Sequence, residues 1–228
     1  MTKTGSGKID RVRRSHDEAR ANYDRISRWY DLLEGYWEEK ARREGLSLLA
    51  IAEGETVLEI GFGTGHSLMA LARAVGDTGK VFGIDISEGM ARIAGKRLGR
   101  KHLSDRVELS VGDFLESDLP GGFFNAIFMS FVLELFDTPE ILNVLTKCRR
   151  LLKEGGRLCV VSLTKEGSDT AMRRLYELGH EKMPRFLDCR PIYVARAIRD
   201  AGLETRRTSV TSIWGLPVEM VLAIKPGI

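Results

Sequence analysis

Thr56-Val-Leu-Glu-Ile-Gly-Phe-Gly-Thr-Gly-His66 is the stretch that decides the fold. Thr56 to Ile60 is a short run rich in β-branched and aliphatic residues, which reads as a buried strand. The glycines at 61, 63 and 65 then make a tight turn, and Ser67 to Val75 resumes with apolar residues at helical spacing. A strand, a glycine turn and a helix in that order place a ligand at the turn, because open α/β sheets bind in the crevice outside the carboxyl ends of their strands. Glycines there let backbone approach the ligand closely.

Further along, short strand-like runs alternate with helical ones. Lys80 to Ile84, Arg106 to Val111, Phe123 to Met129 and Gly156 to Leu163 read as further strands, and this alternation implies a parallel sheet. Ser87 is placed to cap a helix running to about Lys101. Thr138-Pro139 reads as a cap and first-turn proline before an amphipathic run that ends at Glu154-Gly155-Gly156. Pro191 reads as the start of a helix closed by Gly202. Thr205 to Ile213, the Trp214-Gly215 turn and Pro217 to Ile224 then form a closing hairpin, which makes the last strand antiparallel.

Ahead of the first strand the chain divides into a basic tail, 1–14, and a helical segment, 15–54, read as two helices separated near Gly35. Residues 55–228 form the main domain, with an insertion at 165–190 placed to cap the pocket. With 228 residues, 43% hydrophobic and 29% charged, the chain is neither disordered nor fibrous. Its longest nearly apolar runs fall short of a spanning helix, and Met1 to Arg14 has no apolar core of a secretory signal, so a cytoplasmic location is expected. Three cysteines, Cys148, Cys159 and Cys189, lack the spacing of a zinc or redox site and read as buried thiols; no metal site is expected.

The formal net charge is +3, but Lys3, Lys8, Arg11, Arg13 and Arg14 against Asp10 put that excess in the tail. A second basic stretch holds Arg92, Lys96, Arg97, Arg100, Lys101 and Arg106 against Asp105. A solvated helix face is the plain reading of this stretch. Nucleic acid or peripheral contact with an anionic membrane is the functional alternative.

Two acids beside the glycine turn outline an adenosine. Asp85 ends the second strand, where a carboxylate can accept both hydroxyls of a ribose. Asp113 follows the third, where it can accept from an adenine amino group while Phe114 and Met90 contact the ring. The rest of the ligand separates the candidates. A dinucleotide motif spaces its glycines G-x-G-x-x-G, whereas here the third comes one residue early and His66 takes the expected place. Glu59 adds negative charge where a diphosphate would lie, but suits an ammonium or a sulfonium. No G-x-x-x-x-G-K-[ST] phosphate loop occurs.

With these residues in view, the chain resembles the Rossmann-like (class I) S-adenosylmethionine (SAM) methyltransferases, marked by E/D-x-G-x-G-x-G. The match spans Thr56 to Leu163 through Glu59 to Gly65, Val81 to Met90, Val111 to Phe114, and the Leu151-Leu-Lys-Glu-Gly-Gly-Arg157 turn. The resemblance implies a three-layer fold with a seven-stranded, mostly parallel sheet, an antiparallel last strand and an N-terminal helical lid. It implies SAM as cofactor and S-adenosylhomocysteine (SAH) as product. Gly61 to Gly65 would line the methionine portion, Asp85 hold the ribose, and Asp113 with Phe114 and Met90 frame the adenine; Tyr30, Glu59, Phe62, His66, Ile86, Gly112, Ser130 and Phe131 complete the expected cofactor-binding set. Tyr23-Asp-Arg-Ile-Ser-Arg-Trp-Tyr30-Asp31 is similar to the opening segment of the ubiquinone/menaquinone C-methyltransferase group.

Tyr23, Ser27 and Tyr30 lie near one helical face, so their phenols could reach the cofactor carboxylate or the acceptor; packing onto the core is the plain alternative. Phe128 to Phe136 should deliver Ser130 and Phe131 beside the sulfonium and Glu134 near the acceptor. Met183, Phe186 and Leu187 suggest an apolar acceptor or a satellite core. Tyr23, Tyr30, Glu134 and His180 are the candidate catalytic groups, with His66 a further possible base. The N-P-P-Y motif of amino-nitrogen methylation and the Pro-Cys of pyrimidine C5 methylation are absent. The expected activity is methyl transfer to a small, apolar or amphipathic acceptor such as a quinone precursor or lipid headgroup. An RNA methyltransferase and a non-catalytic SAM-binding module are the alternatives, and a nucleotide-dependent oxidoreductase shares the second-strand acid.

Overall fold

The structure, a computed structural model, describes residues 35–165, 191–213 and 215–227. The expected basic tail, the first N-terminal helix and nearly all of the 165–190 insertion lie outside the described residues.

The elements are α1 (Gly35–Leu49), β1 (Thr56–Ile60), α2 (His66–Ala74), β2 (Lys80–Asp85), α3 (Glu88–Arg100), β3 (Val107–Val111), β4 (Phe124–Ser130), α4 (Thr138–Leu151), β5 (Leu152–Leu163), α5 (Val194–Asp200), β6 (Glu204–Ile213) and β7 (Leu216–Ile224). One sheet orders them β3-β2-β1-β4-β5-β7-β6. β1 pairs in parallel with β2 and with β4, so the strand order reverses at β1 and opens a crevice at its carboxyl end. β7 runs antiparallel to β5 and to β6, and is the one reversed strand, as the closing hairpin implies.

Alternation along the strands sorts the core into two layers. Leu58, Ile60, Ile127, Met129, Leu158 and Val160 face α4 and α5. Val57, Val81, Ala126, Phe128, Cys159 and Val161 face α1, α2 and α3. Burial pushes the Cys148 and Cys159 thiols up to about 12, which makes both unreactive packing groups.

α1 is held unusually close to the sheet. A Cβ on Gly45 would lie 2.4 Å from Val161 Cγ2, so only glycine admits this approach. Arg157 fixes the end of the helix by donating from Nε to the Leu49 carbonyl (2.9 Å) and from Nη2 to the Glu55 carboxylate (2.6 Å).

Three helix boundaries depart from the sequence expectations. Ser87 does cap α3, accepting from the Met90 amide at 3.1 Å. For α4, however, the cap is Asp137 rather than Thr138: its carboxylate accepts from Thr138 N, and Glu140 returns the bond by accepting from Asp137 N, a reciprocal capping box. That helix ends at Leu151, because Leu152 already pairs with Phe124 in the sheet. Pro191 does not open α5. Ile192 is drawn into a parallel bridge with Thr164, donating to Leu163 O and accepting from Lys165 N, so the helix starts at Val194. Among the described residues no helix is long and apolar enough to cross a membrane.

Candidate cofactor and acceptor cleft

The crevice at the β1/β4 switch is a single continuous cleft. Of the residues expected from sequence, Glu59, Gly61, Phe62, Gly63, His66, Asp85, Ile86, Met90, Gly112, Asp113, Phe114, Ser130 and Phe131 line it. Gly65 is the N-cap of α2 and packs against Ala94 instead. Glu134 is fully buried to one side, where its Oε1 accepts from the Leu163 amide at 3.3 Å, and it does not line the cleft. Tyr23, Tyr30 and His180 lie outside the described residues.

The floor is organised by Asp85. Its Oδ2 accepts from Gly63 N at 2.8 Å and its Oδ1 from Ser87 N at 2.9 Å. The carboxylate therefore ties the glycine turn to the start of α3. Gly61 N donates to Ile84 O and Gly112 N to Asp85 O, so successive strand ends are stitched across the crevice. Arg97 braces the same turn from α3, donating to both the carbonyl and the hydroxyl of Thr64 at 3.0 Å. Arg106 is likewise engaged, with Ala72 O and the Asp77 carboxylate. Two members of the basic stretch thus serve the fold, while Arg92, Lys96, Arg100 and Lys101 stay exposed.

The wall that follows β3 is built as an Asx turn, with Asp113 Oδ1 accepting from Leu115 N at 2.8 Å. Lys147, reaching in from α4, clamps it. Its ammonium donates to Phe114 O (2.6 Å), Ser117 O (2.5 Å), Leu115 O and Ser117 Oγ (both 3.1 Å), and lies 4.9 Å from the centre of the Phe114 ring. Partial burial and the neighbouring Arg150 hold its pKa below the usual lysine range.

The far wall follows β4. The backbone leaves the strand at Phe131 with φ 55°, a left-handed conformation that a bulky residue seldom adopts, held by Phe131 N donating to Val161 O at 2.8 Å. This turn aims Phe131, Val132, Leu135 and Phe136 into the cleft as an apolar surface. Arg42, from α1, also lines the cleft. Neither Arg42 nor Lys147 was singled out in the sequence. Lys147 sits about thirty residues past the turn it holds, and no local pattern marks either residue.

These groups fit a nucleoside sulfonium. Glu59, Asp85 and Asp113 supply acceptors and negative charge, Met90 and Phe114 an apolar slot, and a Cβ on Gly63 would meet nothing within 4 Å, so that bend faces open space. Among the described residues no group of three or more His, Cys, Asp or Glu is placed to hold a metal ion.

Fold and cleft together define a Rossmann-like domain with a cleft, part acidic and part apolar, where the strand order reverses. Residues 57–156 match a family model described as a methyltransferase domain. A demethylmenaquinone methyltransferase of Symbiobacterium thermophilum is 29% identical over 154 residues, which are 68% of this chain and 59% of that protein; the chain thus spans about three fifths of that relative's length. A SAM-dependent methyltransferase from Aquifex aeolicus superposes with a TM-score of 0.64 at 24% identity, covering 87% of this chain and 97% of that one. The four-plus-two cyclase SpnF superposes at 0.74 with 19% identity, covering 94% and 97%. These two structures establish the fold alone. The chain thus has the Rossmann-like fold of these structures, and residues 57–156 are similar to a methyltransferase domain.

Proposed function

We propose that this protein transfers a methyl group from SAM to a small, apolar or amphipathic acceptor of the quinone-precursor or lipid-like type. The observation that carries this reading is the apolar wall of Phe131, Val132, Leu135 and Phe136 set directly beyond the acidic nucleoside floor. The names of the relatives support a quinone-type acceptor.

When bound, the cofactor supplies an electrophilic methyl on a positively charged sulfur. The chain's own task is to orient and to exclude water. Asp85 and Asp113 fix the nucleoside, Glu59 favours the positive charge, and the β4 wall removes water from the path between acceptor and methyl. A carbon acceptor needs its neighbouring hydroxyl ionised, and an oxygen or nitrogen acceptor must lose a proton. His66, at the first position of α2 in the cleft, is the candidate base among the described residues that line it. Tyr23, Tyr30 and His180 remain candidates for the same role, whereas Glu134, buried to one side of the cleft, does not reach it.

The exposed Arg92, Lys96, Arg100 and Lys101 on and just after α3 favour a second reading, in which this face meets an anionic surface. For a cytoplasmic enzyme with a lipid-like acceptor, that surface is a membrane; for an RNA methyltransferase it is the nucleic-acid backbone. Incubation with deuteromethyl SAM and cell extract, followed by mass spectrometry, tests the proposal. A labelled small lipophilic product supports it. Label found only in RNA, or no transfer despite tight SAM binding, overturns it, the latter in favour of a SAM-binding module.

A further inference from the structure

We propose that Glu134 is a positioning residue for the acceptor: its buried carboxylate replaces a β4 carbonyl beside Leu163, which lets the chain leave the sheet early and turn Phe131, Val132, Leu135 and Phe136 into the cleft. This deepens the reading of that wall as the acceptor side and rests on it.

β5 outruns the strand beside it. The last pair between β4 and β5 is Ser130 with Val161, and the last rung is Phe131 N donating to Val161 O at 2.8 Å. Backbone groups that face one neighbour recur at every second residue of a strand, so Leu163 presents the next amide and carbonyl on that side. The chain has already turned away at Phe131, with φ 55°. Two groups from elsewhere fill the gap. Glu134 Oε1 accepts from Leu163 N at 3.3 Å, and Ile192 N donates to Leu163 O at 3.1 Å. Leu163 is buried, and a buried amide left without an acceptor is unfavourable, so a side-chain oxygen at this point makes the early exit of β4 possible.

The tether lies in the middle of the turn it holds. Leu133 and Glu134 are fully buried, while Val132, Leu135 and Phe136 on either side line the cleft. Phe131 N and the Asp137 capping box fix the two ends of the turn, and Glu134 fixes its centre against β5. The anchor on β5 is itself secured to β7, where Thr164 N donates to Pro217 O and Thr164 Oγ1 to Glu219 Oε2, both at 3.0 Å. The role calls for an accepting oxygen and moves no proton, which separates it from general-base catalysis.

Glu134→Gln keeps an accepting oxygen in place, and Glu134→Met removes it. Titration calorimetry on the full chain measures SAH first, and then 1-naphthol, a quinol-like probe, on the SAH-loaded protein. Glu134→Met is expected to weaken 1-naphthol by about tenfold, the order of one lost buried hydrogen bond, and to leave SAH within about threefold. Glu134→Gln is expected to stay within about threefold of wild type for both. Retained SAH binding shows that the variants fold. Unchanged 1-naphthol affinity in Glu134→Met, equal losses of SAH and 1-naphthol, or a loss in Glu134→Gln as large as in Glu134→Met each overturn the assignment of Glu134. Wild-type protein that binds SAH but not 1-naphthol overturns the reading of the wall as an acceptor site, and the role of Glu134 with it.

Discussion

Replacing Gly61 with alanine tests the geometry on which the cleft depends. Gly61 has φ 69°, and an added Cβ would lie 2.2 Å from Val132 Cγ2, 2.8 Å from Cγ1 and 3.1 Å from Cβ. Two costs separate cleanly. The left-handed backbone costs an alanine about 1–2 kcal/mol. Overlap with Val132 adds about 1–3 kcal/mol, because a β-branched side chain has little freedom to turn away and its own Cβ stays close in every rotamer. Gly61→Ala should therefore lose about 2–5 kcal/mol in urea unfolding. In Gly61→Ala/Val132→Ala the overlap term should largely disappear while the backbone term stays, giving a favourable coupling of about 1–3 kcal/mol. Additive effects, to within the roughly 0.3–0.5 kcal/mol seen for independent sites, would refute the wedge of Val132 against the glycine turn.

Asp85→Ala should weaken SAH binding by about 1–3 kcal/mol and also lower stability, since it releases both the Gly63 and the Ser87 amides; an unchanged dissociation constant in calorimetry would contradict this. Lys147→Met should raise the Kd for SAH severalfold with kcat at saturation little changed, because it loosens the Phe114 turn without touching the transferred group. Burial raises the Glu55 pKa, but the Arg157 hydrogen bond and charge with the Ala52 amide overcome this and leave it lowered. A lowered carboxyl pKa stabilises the fold above the unfolded value and loses that contribution as pH falls through the folded one. Glu55→Gln should thus cost about 1 kcal/mol at pH 7, with the gap closing below the usual glutamate range of about 4.3, followed by urea unfolding across pH.

The seven strands and the reversed last one were legible because β-branched runs alternate with helical runs over the whole domain. The lining of the cleft was legible because Glu59 to Gly63, Asp85 and Asp113 each sit at the end of such a run, where sequence position and place in the crevice coincide. Residues that act across the fold were not. Arg42 comes to line the cleft because Gly45 lets its helix lie close on β5, and Lys147 reaches the Phe114 turn because α4 packs beside the loop after β3. At Asp137 the conspicuous Thr138-Pro139 pair drew attention one residue too late, and at Pro191 a sheet bridge took residues that local propensity assigned to a helix. Gly65 carried the right conformational signal, yet its place is against α3 rather than the ligand.

The double grip of Asp85 on Gly63 and Ser87 also bears on turnover. The bend acquires its shape as the chain folds, so the ordering cost is met once and does not recur at each encounter. SAM and SAH carry the same adenosine, and both benefit equally from a bed prepared in advance. Uniform affinity of this kind leaves the chemical step no faster. On the proposed function, SAH should therefore compete with SAM for the cleft, and methylation should track the ratio of fresh to used cofactor more closely than the level of either.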